Sequence, residues 1–143
     1  MPYRYLEDIA VADVALFAWG ETIDETFLAA ADGTLGVMME DPASLLGKER
    51  RVLRLDDSSL DMLLLQFLQE LIFFKDAQRL LLRVRELQIR EDDGRFSLLA
   101  DARGEEIDPA RHQLLMDLKA VTLYRLRVEK TMRGWEATVI LDV

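Results

Sequence analysis

Two acidic residues near opposite ends of the chain are the strongest candidates for chemistry. Asp13 follows the apolar start of an extended segment, residues 9–16, and Asp142 is the penultimate residue of a strand-like run, residues 135–143. If the two segments are neighbouring strands, their carboxylates and the terminal carboxylate of Val143 converge. Converging anions repel one another, and a hard cation with oxygen ligands, Ca²⁺, Mg²⁺ or Mn²⁺, relieves that repulsion. The pattern therefore predicts a cation site, provided that the strands are adjacent.

Length and composition indicate one globular domain over residues 1–143, because half of the residues are hydrophobic and 31% are charged. The longest apolar stretch, residues 60–74, contains Asp61 and Glu70, so no membrane segment is expected. The absence of cysteine excludes disulfides, a thiolate nucleophile and Cys-bound zinc. The N-terminus has no signal-peptide pattern, so a cytoplasmic location is expected.

The chain is acidic, with 18 basic and 27 acidic residues and a net charge of −9. This balance argues against strong direct nucleic-acid binding, since affinity for phosphate backbones comes from Lys and Arg that displace counterions. An acidic surface can instead dock on a basic protein, or it can simply maintain solubility.

The elements that must position these residues follow from the hydrophobic pattern. Thr22 begins a capping box for a first helix that runs to about Met39, and a stripe of i, i+3, i+4 spacing after Ser58 predicts a second helix. Extended segments are expected at residues 3–19, 51–56, 80–91, 96–102, 117–128 and 135–143. The order β-α-β-α followed by a β-meander predicts an α+β fold, with two helices packed on one face of a largely antiparallel or mixed sheet.

Turns separate the later strands. Asp92-Asp-Gly94 predicts a hairpin, residues 103–105 a second bend, and residues 108–112 a turn or short helical loop. His112, the only histidine, is expected to be a surface or capping residue, since no serine or acid is spaced to form a triad with it.

Eight short stretches in this order together resemble the archease family. They are residues 3–7 (Tyr-Arg-Tyr-Leu-Glu), 12–14 (Ala-Asp-Val), 18–20 (Ala-Trp-Gly), 37–39 (Val-Met-Met), 67–71 (Phe-Leu-Gln-Glu-Leu), 104–112 (Gly-Glu-x-x-Asp-Pro-x-Arg-His), 119–122 (Lys-Ala-Val-Thr) and 141–143 (Leu-Asp-Val). No single stretch is specific, but the ordered set covers essentially the whole chain.

The resemblance implies a small metal-binding protein that is not itself an enzyme. Such a protein activates an RtcB-type RNA ligase in tRNA splicing and RNA repair, promoting GTP-dependent guanylylation and multiple turnover. By matching motifs, the metal residues are Asp13, Asp142 and Val143, and Lys119 acts with Asp13 in partner activation. Calcium is the metal that the resemblance favours, with magnesium or manganese as alternatives.

One departure from the family concerns the segment before Asp13. Archeases commonly have Glu-His-Thr-Ala-Asp there, whereas this chain has Glu-Asp-Ile-Ala-Val-Ala-Asp at residues 7–13. The histidine is absent and the spacing is longer by two residues. Either Asp8 replaces the histidine, or the segment is remodelled.

Simpler interpretations stand beside these. Asp13 and Asp142 could be solvated acids at strand ends, and Lys119 an exposed strand residue. A metal-dependent hydrolase using the same aspartates and a chaperone-like protein-binding module are the alternative functions.

Overall fold

The computed structural model describes residues 2–6 and 13–143, and its secondary structure confirms the α+β class. In chain order the elements are β1 (Tyr3–Leu6), β2 (Asp13–Gly20), α1 (Ile23–Met38), a 3-10 turn (Pro42–Ser44), β3 (Glu49–Asp57), α2 (Leu60–Gln78), β4 (Leu80–Asp92), β5 (Arg95–Glu106), β6 (Ala120–Thr131) and β7 (Gly134–Asp142). All paired strands in these ranges are antiparallel. Within them, no helix is both long and apolar enough to cross a membrane.

The strands form two sheets rather than the one that the sequence suggested. A four-stranded sheet has the order β1-β2-β7-β6, and a three-stranded sheet has the order β3-β5-β4. Helix α1 contacts β2, β7 and β4, and helix α2 contacts β6, β3 and β4, so each helix packs against both sheets. One apolar core is therefore shared by the helices and the two sheets.

Helix α1 begins at the predicted capping box. The Thr22 side chain accepts a hydrogen bond from the backbone N–H of Glu25 at 3.1 Å, and the Glu25 carboxylate accepts one from the backbone N–H of Glu21 at 2.9 Å. The first bond satisfies a backbone donor that the start of a helix leaves without a partner, and the second ties the residue before the N-cap to the first turn. The predicted end of the helix near Met39 is also close to the observed one.

Helix α2 carries the predicted apolar stripe into the core. Ser59 caps its start by accepting from the backbone N–H of Met62 at 3.3 Å. Leu64, Leu68 and Phe67 are fully buried, and each such side chain contributes about 1.5–3 kcal/mol. The Phe67 ring stacks on Phe27 of α1 with centroids 6.0 Å apart, which joins the two helices.

Two predicted boundaries were wrong. Strand β5 does not bend at residues 103–105 but continues to Glu106, because Gly104 lies against the backbone of β4 where any Cβ would overlap the carbonyl oxygen of Leu81. Strand β6 begins at Ala120 rather than at Asp117. The hairpin at residues 92–94 is confirmed, with φ of 52° at Asp93 and 75° at Gly94, as a tight β-hairpin requires.

Candidate metal centre

Asp13 and Asp142 lie directly opposite each other on neighbouring strands. Asp13 is the first residue of β2, Asp142 is the last residue of β7, and the register of the two strands makes them cross-strand partners. Directly opposed residues place their Cβ atoms about 4.5–5.5 Å apart on the same face of a sheet. The adjacency of the two strands that the cation site requires is therefore confirmed, and the sharing of a cation by the two carboxylates stays a prediction.

Strand alternation explains which face the pair occupies. Leu16 on β2 and Leu141 on β7 are fully buried in the core, and Asp13 and Asp142 lie an odd number of residues from them. Because successive side chains point to opposite faces, both aspartates lie on the face of the four-stranded sheet away from the core. Both remain half-exposed there.

Ala120 of β6 is the cross-strand partner of Asp142 on its other side. The row across the sheet is therefore Asp13, Asp142 and Ala120. The methyl side chain of Ala120 carries no positive charge that could neutralise the two aspartates, and it leaves their carboxylates accessible from the β6 side. Two like charges directly opposed in a sheet are destabilising.

Val143 follows the pair. Its side chain is half-buried and packs against the core, so the chain end stays next to the two aspartates. The carboxylate of Val143 is the third oxygen group that the sequence predicted for this place, and its role in binding metal stays a prediction.

Lys119 lies beside Asp142 through the backbone. Its N–H donates to the carbonyl oxygen of Asp142 at 2.8 Å, and its side chain is exposed. The residue thus belongs to the same end of the sheet as the aspartate pair, just before β6 begins. Its part in activating a partner stays a prediction.

The segment before Lys119 is anchored by Lys75 of α2, which sequence reasoning missed. The Lys75 ammonium donates to the carbonyl oxygen of Leu118 at 2.6 Å and to the carboxylate of Asp117 at 2.8 Å, and it pairs with Asp76 at 2.7 Å. Burial alone would lower the pKa of Lys75, but these carboxylates outweigh that effect and raise it. Its burial could have been inferred from spacing, because Lys75 lies on the same face of the helix as the apolar residues Leu68 and Leu71.

His112 was expected to be a surface or capping residue, and the structure shows a capping residue whose ring is buried. Its ring is fully buried, Nδ1 accepts from the backbone N–H of Asp108 at 2.9 Å, and Nε2 lies 2.6 Å from the carboxylate of Glu105. This network assigns the proton to Nε2, which donates to Glu105. The histidine therefore caps its own turn, residues 108–112, and ties that turn to β5.

Burial lowers the pKa of His112, and the neighbouring Arg111 guanidinium lowers it further. Arg111 also forms an ion pair with Glu105. Because both ring nitrogens already have partners, His112 is occupied in structure and is not a candidate general base.

In residues 2–6 and 13–143, no three side chains of His, Cys, Asp or Glu are grouped as a metal site would require. The Asp13–Asp142 pair supplies two carboxylates, and the third group in the prediction is a chain terminus. Asp8, the candidate replacement for the family histidine, lies outside the described residues.

Comparison with known proteins gives the family. The model of the Archease protein family matches residues 3–143. A relative named Protein archease from Methanosarcina mazei is 34% identical, with 99% of this chain and 95% of the relative covered, and one of the same name from Pyrococcus abyssi is 30% identical, with 92% and 93% covered.

Solved structures agree with the observed fold. The solution structure of protein 1598 from Methanobacterium thermoautotrophicum matches with a TM-score of 0.85 and 28% identity, covering 99% of both chains. The crystal structure of a Thermotoga maritima protein described as an archease, possible chaperone, matches with a TM-score of 0.57 over 94% and 93% of the two chains, and at 12% identity it supports the fold alone. On the family match and these relatives, the chain belongs to the archease family.

Proposed function

We propose that the chain is a metal-binding accessory protein, not itself an enzyme, that activates an RtcB-type RNA ligase. In this role it promotes the GTP-dependent guanylylation of the ligase and its multiple turnover. The observation that carries the proposal is the direct cross-strand pairing of Asp13 with Asp142. These are the positions that match the metal residues implied by the family motifs.

The donor set fits a hard divalent cation. Asp13 and Asp142 offer carboxylate oxygens from one face of the sheet, and Val143 supplies the neighbouring terminal carboxylate. Oxygen ligands suit Ca²⁺, Mg²⁺ and Mn²⁺, and calcium is the ion that the family resemblance favours. When bound, the cation supplies positive charge that can neutralise phosphate oxygens.

The location of the two aspartates at the end of the sheet also supports the proposal. Their position at a strand end, rather than in a closed cavity, presents the site to a second protein. We expect this end of the sheet to approach the nucleotide pocket of the ligase, where negative charge on the GTP triphosphate opposes attack by the ligase nucleophile.

Lys119 adds a positively charged side chain at the end of the sheet that carries the aspartate pair. Its backbone bond to Asp142 keeps its Cα beside the pair, while its exposed side chain can reach outward. A lysine there can meet a phosphate or a carboxylate of the ligase without being drawn into the protein's own core. This supports a role in partner activation rather than in stability.

The net charge of −9 also suits a protein that acts through another protein. An acidic domain docks on a basic surface by complementary charge, whereas contact with the RNA is left to the ligase. The proposal includes a cytoplasmic location, where the ligase would work.

The test is a ligation assay with the cognate ligase, RNA ends, GTP and Mn²⁺. Wild-type protein at one-tenth of the ligase concentration should raise the number of turnovers per ligase, and the protein without ligase should produce no ligation or phosphate release. Turnover by the protein alone would indicate the hydrolase instead. Protection of unrelated unfolded proteins, with no effect on ligation, would indicate a chaperone-like module.

A further inference from the structure

Strand β6 contains a large bulge close to the aspartate pair. Thr122 pairs with Ile140 of β7, and the next pair is Arg127 with Thr138. Four residues of β6, 123–126, therefore lie opposite the single residue Val139. A common β-bulge inserts one extra residue, and this one inserts three. We call residues 123–126 the β6 bulge.

Helix α2 holds both ends of the bulge. Before it, the backbone N–H of Val121 donates to the side-chain oxygen of Gln69 at 3.1 Å. After it, the backbone N–H of Val128 donates to the carboxylate of Asp61 at 2.7 Å. The two acceptors are eight residues apart, about 12 Å along the helix. The bulge is therefore fixed at both ends by helix α2, whose apolar face is buried in the core.

The side chains of the bulge divide into two groups. Leu126 is half-buried and packs against the core. Leu123 and Tyr124 are exposed by 66% and 55%, and the Arg125 guanidinium lies over the Tyr124 ring at 5.4 Å. Arg125 has φ of 56°, a conformation that costs a residue other than glycine about 1–3 kcal/mol. Leu126 thus serves the fold, whereas Leu123 and Tyr124 face solvent at the expense of backbone strain.

The bulge is also close to the candidate metal centre. Ala120, in the same row as Asp13 and Asp142, is two residues from Thr122, where the bulge begins. Two strand residues span about 7 Å. A protein that receives the aspartate end of the sheet will therefore meet Leu123 and Tyr124 at the edge of the contact.

We propose that Leu123 and Tyr124 form a docking element that inserts into an apolar recess of the protein that receives the Asp13–Asp142 end, with Arg125 meeting an acidic rim of that recess. The inference rests on the proposed function and names the contact surface for the same partner. Tyrosine and arginine are enriched among residues that dominate binding energy at protein interfaces. The extra residues of the bulge and the exposure of Leu123 and Tyr124 leave both side chains accessible to such a recess.

A protein fits this element better than a nucleic acid does. Leu123 has no flat face on which a base could stack, and the net charge of −9 disfavours binding to a long phosphate backbone. A protein recess can match the aliphatic side chain, the aromatic ring and the guanidinium together.

The test compares the double variant Leu123→Ser, Tyr124→Ser with Met132→Ser. Met132 is fully exposed in the β6–β7 turn, at the other end of β6, so it controls for the loss of an exposed apolar side chain. The double variant should bind the ligase at least about tenfold more weakly, and the control should bind as wild type does. The shift in melting temperature caused by Ca²⁺ should be the same for all three proteins, because the metal residues are intact.

Equal ligase affinity for the double variant and wild type, with wild type activating the ligase, would overturn the docking element and leave the proposed function standing. Absence of ligase binding and activation by wild type would overturn both. Loss of RNA binding or of self-association in the double variant, with ligase affinity unchanged, would assign the bulge to another occupant and also overturn it. Melting in chelator checks that the double variant is folded, and Tyr124→Ser alone replaces it if it is not.

Discussion

The backbone N–H of Lys119 donates to the carbonyl oxygen of Asp142 at 2.8 Å. This bond joins the residue before β6 to the last residue of β7. The lysine proposed to act in partner activation is therefore held next to the penultimate aspartate by its backbone, independently of its side chain. A substitution of the lysine side chain leaves this backbone bond in place, so the variant tests the side chain alone.

Lys119→Ala should reduce ligase activation while the stability of the protein changes by less than about 0.5 kcal/mol, as is usual for an exposed substitution. Lys130→Ala is the matched control, because Lys130 is also exposed on β6 but near its far end. Denaturant unfolding and the ligation assay, performed on both variants, check the prediction. A large loss of stability in Lys119→Ala alone would show that the side chain is structural.

Asp13→Asn should leave the protein in chelator as stable as wild type or more stable. Removing one of two directly opposed charges relieves a repulsion of about 0.2–1 kcal/mol. In the presence of a divalent cation, wild type should be more stable than the variant. Metal binding stabilises wild type by about 2.7 kcal/mol when the metal concentration is a hundredfold above the dissociation constant. Thermal melts in chelator and in Ca²⁺ give both comparisons.

Asp92→Asn provides the control for that experiment. Asp92 ends β4 as Asp142 ends β7, but its cross-strand partner is Arg95 rather than another acid. Its response to Ca²⁺ should equal that of wild type. If wild type shows no metal-dependent shift, Asp13 and Asp142 are ordinary surface acids.

The sequence was sufficient for the features that depend on local pattern. Thr22 and the stripe of α2 predicted both helices. For both helices the deciding interactions lie within the helix itself. The meeting of Asp13 and Asp142 was predicted only on the condition that their strands are neighbours, and that long-range pairing comes from the structure. The α+β class followed from the order of these elements.

Features that depend on distant partners were not predictable in this way. The division into two sheets reflects which strands pair, and the β6 bulge depends on acceptors in α2 that its own residues do not indicate. The burial of His112 was not predicted, because its partner Glu105 comes close only when the turn at residues 108–112 folds back on β5. Lys75 was also missed, although its position on the apolar stripe of α2 was an available sign of burial.

Lys75→Met should destabilise the protein by about 1–3 kcal/mol, because the carbonyl oxygen of Leu118 loses its donor in a buried place. Methionine keeps the aliphatic part of the side chain, so packing is largely preserved. Asp117→Asn is the comparison, and since Asp117 is mostly exposed it should cost no more than about 1 kcal/mol. Equal losses in urea unfolding would show that the ion pair, not the carbonyl bond, carries the stabilisation.

The pH dependence of stability should contain a contribution from His112. The pKa of this residue is lowered on folding, so below its ordinary value of 6.5 the unfolded chain binds the proton more readily than the folded protein. The contribution is therefore complete above pH 6.5 and is lost as the pH falls through the folded-state value.

Urea unfolding of wild type and His112→Gln between pH 5 and 8, about the range in which histidine titrates, checks this. Wild type should lose stability on acidification more steeply than the variant below pH 6.5. Parallel curves would mean that His112 is protonated equally in both states, contrary to the buried neutral ring of the structure.

The most direct test of the central claim is the rate at which the cognate ligase becomes guanylylated by GTP, measured with wild-type protein and with the Asp13→Asn, Asp142→Asn double variant. Both proteins are first shown to be folded by their melting curves in chelator. Wild type should accelerate guanylylation, and the double variant should leave the rate at that of the ligase alone, because the cross-strand carboxylates are gone. Equal acceleration by both proteins would contradict the account, since activation would then not depend on the aspartate pair.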